Sequence, residues 1–148
     1  MRRGKRLPQT GQEALGEAQA YLENAKESLK KSPIEFGIYK EPKHVKEAAA
    51  MGYLAALRAI DSYLLTRGVS PQKLPASIDE YRKQLRKIPH NGKLMAALTV
   101  VYQNLHIFSY YRGGVDVELV KSGLARAEEI VKSFARLGES RGWENADL

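Results

Sequence analysis

The stretch KHVKEAAAMGYLAALRAIDSYLLTR, Lys43 to Arg67, decides how the rest of the chain is read. It contains no proline, and its apolar residues recur in steps of three and four. Val45, Ala49, Gly52, Ala56, Ile60 and Tyr63 form one stripe, and Tyr53, Leu57, Ile60 and Leu64 form a neighbouring one. An apolar face wider than one seam predicts a helix that touches partners on more than one side. Ala48, Ala49, Ala50, Gly52, Ala55 and Ala56 are small enough to let other backbones come close. A helix of about 25 residues is roughly 37 Å long, which suits the central rod of a small helical protein.

On the N-terminal side, Thr10-Gly-Gln-Glu13 has the capping-box pattern. Leu15, Ala18, Leu22, Ala25 and Leu29 then predict an amphipathic helix ending near Ser32, before Pro33. Pro33 to Pro42 reads as a loop with unusually apolar Phe36, Ile38 and Tyr39. Such a loop either folds over one end of the helices or serves as a lid or partner-binding segment.

On the C-terminal side, Gly68, Pro71 and Pro75 keep the chain from resuming a helix at once. Ser77-Ile-Asp-Glu80 repeats the capping-box pattern, and Ile78, Tyr81, Leu85 and Ile88 mark a short helix closed by Pro89. Leu94, Leu98, Val101, Leu105 and Phe108 predict a helix to about Tyr111, broken by Arg112-Gly113-Gly114. Asp116 is a suitable N-cap for the last helix, whose stripe runs from Val117 to Phe134 and closes at Leu137 and Gly138. The expected fold is all-α: an antiparallel four-helix bundle with one additional short helix and no strand. A basic arm is expected over 1–9, one domain over 10–138 and a flexible tail over 139–148, with Trp143 in the tail.

At 148 residues the chain fits a single core. The absence of cysteine excludes disulfides, thiolate metal sites and a cysteine nucleophile, and it fits a reducing, cytoplasmic setting. No apolar run follows the basic start, so no signal peptide is expected, and no window approaches a membrane span. The formal net charge is +7, and Arg2, Arg3, Lys5 and Arg6 place much of it in the arm. That balance permits anionic partners without identifying one.

The chemistry is sparse. His44, His90 and His106 show no metal-ligand spacing, and the glycines form no phosphate loop, so neither metal nor cofactor is expected. Arg82, Lys83, Arg86 and Lys87, with Lys93 nearby, form the densest basic patch of the body; it reads as a phosphate-binding face or a solvated one. Tyr102, His106, Ser109, Tyr110, Tyr111 and Arg112 crowd the end of the fourth helix, with Tyr102, His106 and Ser109 expected on one face. An imidazole to move a proton and a guanidinium to hold a phosphate would suit RNA cleavage. That makes His106, Arg112, Tyr102 and Tyr111 the candidate catalytic residues. The plainer reading makes Tyr102 and His106 boundary residues between core and water.

Three segments resemble the HEPN superfamily of small helical domains: AQAYLENAKESL (18–29), HVKEAAAMGYLAALRAIDSYL (44–64) and YYRGGVDVELVKSGLARAEEIVKSFARL (110–137). The likeness is closest to an uncharacterised bacterial branch, a domain of unknown function. The resemblance implies a bundle of four to five helices, frequent dimerisation and, in many members, metal-independent ribonuclease activity. Those members carry an arginine and, after four to six intervening residues, a histidine. Here Arg112 is followed by no histidine through Leu119, Arg86 and His90 stand too close with Pro89 between them, and His106 precedes Arg112. The expectation is a non-catalytic module that associates with itself or with a protein partner, in a bacterial defence, toxin–antitoxin or stress system. The alternative is a ribonuclease or RNA-binding protein with a rearranged site.

Overall fold

The computed structural model describes residues 7–141, and of 139–141 only the backbone. About three quarters of the chain is helical. Helix α1 spans Gly11–Lys30 and α2 spans Pro42–Thr66. A 3-10 turn, Pro71–Lys73, leads to the short α3, Ile78–Arg86. Helix α4, Gly92–Val100, runs without a break into a π-helical segment, Val101–Tyr111, and α5 spans Val117–Arg141.

The central stretch behaves as its small residues require. Val45, Ala48, Ala49, Gly52, Ala55, Ala56, Ala59 and Ile60 are all buried, while Tyr53, Leu57 and Tyr63 are half-buried at the margins. Helix α2 packs along α1 on one side, its most extensive pairing, and against α5 and the π-helical segment on the other. A methyl group built on Gly52 would lie 2.5 Å from Leu124 Cδ2 and 2.9 Å from Leu105 Cδ1. One on Gly123 would lie 2.7 Å from Leu105 Cδ2. Leu105 is thus seated between two glycines on two different helices.

The caps form largely as their sequences suggest. Thr10 Oγ1 accepts from the Glu13 N–H at 3.0 Å, and Ser77 Oγ accepts from the Glu80 N–H at 3.2 Å. The return bonds reach one residue further out than the standard box, from the Gln9 N–H to Glu13 and from the Ala76 N–H to Glu80. Asp116 caps α5 through the Leu119 N–H.

Three expectations need correction. The segment after Pro33 is not a plain loop but a hairpin, with β1 (Ile34–Glu35) antiparallel to β2 (Ile38–Tyr39). Phe36 and Gly37 make its turn with φ of +54° and +74°, the left-handed pair that a two-residue hairpin demands. The far edge of β2 bonds to the connection before α5, through Tyr39 N–H to Val115 O and Val117 N–H to Gly37 O. The fourth helix does not keep α-helical spacing past Val101; its buried positions become Val101, Leu105 and Ser109, every fourth residue. Its closing bonds include Arg112 N–H to Ile107 O, five residues back, the i→i+5 pattern of a π turn. Finally, α5 continues past Gly138 to Arg141. Arg2, Arg3, Lys5, Arg6 and Trp143 lie outside the described residues.

Candidate functional site

Rings recur at positions 102, 106 and 110. On an α-helix such a row drifts around the axis, whereas the wider π turn holds it closer to a straight line. His106 stacks on Tyr53 of α2, with centroids 4.5 Å apart and planes 21° apart. Tyr102 lies 5.5 Å from His106 and 6.2 Å from Tyr53. Tyr110 is nearly parallel to His106, at 11° and 6.2 Å. The row lies at the surface: Tyr53, Tyr102 and His106 are half-buried, and Tyr110 is 47% exposed. Burial pushes the Tyr53 phenol up to about 12; the neighbouring Tyr102 adds to the rise and Arg82 opposes it.

Helix α3 closes one end of this row. Its Arg82 guanidinium lies 5.9 Å from the centre of the Tyr102 ring and donates to Thr99 Oγ1 at 3.0 Å. A guanidinium over a tyrosine face is held by the ring quadrupole. Tyr81 and Leu85 turn inward, while Lys83, Arg86 and Lys87 are exposed, as is Lys93 on α4. Among the described residues none of these five cations makes an ion pair.

The inward side of α3 meets a closed polar network. Tyr81 Oη donates to Asp61 Oδ1 at 2.9 Å, Arg58 donates to Asp61 Oδ2 at 2.9 Å, and Arg58 Nε donates to Glu17 at 2.7 Å. Asp61 is 1% exposed. Burial raises the Asp61 carboxyl above its ordinary value, against the pull of Tyr81 and Arg58. Burial and the adjacent Asp61 also raise the Tyr81 phenol.

A third feature is the hairpin end. Phe36 is 93% exposed at the turn, and Ile34, Ile38, Tyr111 and Leu119 are exposed nearby in the chain or on the neighbouring ends of the π-helical segment and α5. In the hairpin register, Glu35 and Ile38 face each other, and Lys40 N–H bonds Pro33 O. By antiparallel alternation the N–H and C=O of Ile34 point to the open edge of β1. Tyr39 instead is buried and seals the hairpin against the helices.

The candidate residues from the sequence separate on this frame. Tyr102 and His106 come together, joined by Tyr53 and Tyr110. Ser109 leaves that face: it is fully buried, and its Oγ has no hydrogen-bond partner among the described residues. Tyr110 takes the place expected for Ser109, because four residues, not three, bring a π-helical side chain back into line. Arg112 lies past the end of the π-helical segment, exposed like Tyr111, and no hydrogen bond, ion pair or ring contact among the described residues joins either to His106. Tyr53 was missed because its spacing reads as core. Among the described residues, no three His, Cys, Asp or Glu side chains gather into a metal-binding set, and no helix is long and apolar enough to cross a membrane.

What these features define is a mostly helical protein with a row of surface rings that meets a basic helix, α3, at Arg82. The chain belongs to the family described as a domain of unknown function, DUF5618, which it matches over residues 13–136. It is also similar to a solved protein of unknown function from Dyadobacter fermentans, at 33% identity and a TM-score of 0.71, over 86% of this chain and 98% of the other. No curated protein matches it. Neither description links the chain to the HEPN superfamily or to a defence system.

Proposed function

We propose that this chain is an antiparallel four-helix bundle, with α3 as the added short helix, that works by association, and that its partner is a second copy of itself meeting at the hairpin. The observation that carries this reading is Phe36: a bulky apolar side chain, almost wholly in water, on a left-handed backbone. That conformation costs a non-glycine residue about 1–2 kcal/mol. Asparagine would make the turn at lower cost, so retaining phenylalanine there indicates a use for the side chain. Ile34 and Ile38 add exposed apolar surface on the two strands beside it.

A second copy fits better than an unrelated partner for two reasons. The open edge of β1 offers one N–H and one C=O on Ile34, and two such edges related by a two-fold axis pair with each other without further adjustment. Both signs of charge stand at the hairpin, with Glu35 and Asp116 beside Lys40, so like surfaces can meet without net repulsion. A HEPN-type ribonuclease is the weaker reading, because among the described residues no hydrogen bond, ion pair or ring contact joins Arg112 to His106.

The test is the mass in solution by light scattering across concentration. Wild type is expected to form a dimer at micromolar concentration, and Phe36→Asn and Ile34→Lys are expected to shift it to monomer. A wild-type protein that stays monomeric at millimolar concentration, or a Phe36→Asn variant that dimerises as well as wild type, would sink the reading. Incubation with RNA and a chelator is expected to give no cleavage above that of His106→Ala.

A further inference from the structure

We propose that the row Tyr102–His106–Tyr110, backed by Tyr53 and flanked by α3, is a binding platform for single-stranded nucleic acid. Bases lie on the rings, and phosphates lie on Lys83, Arg86 and Lys87. A base can stack only on a ring that keeps some surface open to solvent. Here Tyr110 is 47% exposed, and the other members are half-buried at the margin between α2 and the π-helical segment. The π-helical spacing is what lines them up, and such segments are uncommon beyond a single turn and recur at functional positions.

Exposed cations flank the row. At the α3 end, Arg82 is already spent on Tyr102 and Thr99. Arg86 is one turn further along its face, and Lys83 and Lys87 make a second such pair. At the other end, Lys46 lies seven residues before Tyr53 on the same face of α2. Its side chain passes over Gly113, where an added methyl would sit 3.8 Å from Lys46 Cε. Arg112 is exposed beside it in sequence. None of these cations has an acidic partner among the described residues. A track of rings with cations at both ends matches a polymer of flat bases on a charged backbone. A duplex hides its base faces and would use the cations alone, so the rings select single strands. Stacking reads a base by its face, and little preference among the four bases is expected.

The experiment is fluorescence anisotropy of the full chain with labelled oligouridine, oligothymidine and a duplex of the same length, each about a dozen nucleotides, starting near 50 mM salt where phosphate contacts are strong. Binding of either single strand at least tenfold tighter than the duplex is expected, and the two arms report whether the sugar is ribose or deoxyribose. Tyr110→Ala is expected to weaken binding about tenfold, with Tyr110→Trp restoring it. Lys83→Glu combined with Arg86→Glu is expected to abolish it and to flatten the salt dependence that remains. Phe36→Asn is expected to bind like wild type, which separates this site from the hairpin. No wild-type binding at low salt, equal binding of duplex and single strand, or a Tyr110→Ala variant that binds like wild type would overturn the proposal.

Discussion

Tyr81 and Arg82 are neighbours on α3, and they face two polar clusters built on opposite plans. Tyr81 enters a closed one. Each oxygen of Asp61 receives a hydrogen bond, and Arg58 spans Asp61 and Glu17. Arg82 opens onto the other, where Lys83, Arg86 and Lys87 have no acidic partner among the described residues and the rings beyond keep an exposed flank. A buried charge must be paired within the chain, because water cannot reach it. A cation at the surface carries no such requirement, and a cluster of them left without acids is available to something outside. Cutting into the first cluster should therefore cost stability, and cutting into the second should not.

The largest effect is expected at Arg58. Arg58→Met removes the charge that compensates Asp61 and leaves a carboxylate at 1% exposure. Breaking a buried pair from one side costs about 3–5 kcal/mol, measurable by urea unfolding. The loss should shrink as pH falls. The Asp61 carboxyl is already raised in the folded protein, and without Arg58 it rises further. A raised carboxyl adds stability that is present below its unfolded value and lost as pH climbs through its folded one, so neutral pH is where the variant suffers most. A variant as stable as wild type at neutral pH would mean that the two clusters do not differ as described.

Next comes the seat of Leu105. Gly52→Ala puts a methyl 2.5 Å from Leu124 and 2.9 Å from Leu105, and overpacking of this kind costs about 1–3 kcal/mol. In a Leu105→Ala background, itself destabilised by the cavity, adding Gly52→Ala should cost less than it does in wild type, since the leucine that must move is gone. An undiminished cost would show that Leu124 alone sets the limit.

The central helix shows why some of this could be read in advance and some could not. The run from Val45 to Ile60 is small and apolar at regular intervals, and burial of those positions follows from side-chain size alone. The caps at Thr10, Ser77 and Asp116 are equally local. The π-helical register past Val101 is not local. Leu98, Val101 and Leu105 suit either spacing, and the choice falls at Ser109 and Tyr110, where Ser109 turns inward and Tyr110 lies alongside His106. The hairpin escaped for a related reason: phenylalanine is a poor residue for a left-handed turn, so Phe36-Gly37 carries no ordinary turn signal. The basic half of the surface site was visible as charge. Its aromatic half depends on Tyr53 meeting His106 across two helices 53 positions apart in sequence.

Alkaline titration sharpens the comparison from the ring side. Burial holds the Tyr53 phenol up to about 12 and raises Tyr81 as well, whereas an unfolded tyrosine ionises near 10. Their contribution to stability is complete below about pH 10 and is lost as pH rises through the folded values. Stability to urea should therefore fall between about pH 10 and 12, and Tyr53→Phe should reduce that slope. A slope identical in Tyr53→Phe would remove Tyr53 from the group that titrates late.

The smallest effect is the most telling for the surface cluster. Lys83→Gln removes one exposed cation that has neighbours of its own sign at Lys87 and Arg86. Relief of repulsion along the helix is worth about 0.2–0.5 kcal/mol. Against it stands the loss of a positive charge in the last turn of α3, where the helix dipole favours one by a similar amount. The two terms oppose, so the net change in unfolding free energy should stay within about 0.5 kcal/mol, far below that of Arg58→Met. A loss well above 1 kcal/mol would mean that Lys83 has a partner inside the fold. The contrast between the two faces of α3 would then fail, and with it the argument that these cations are kept for a ligand.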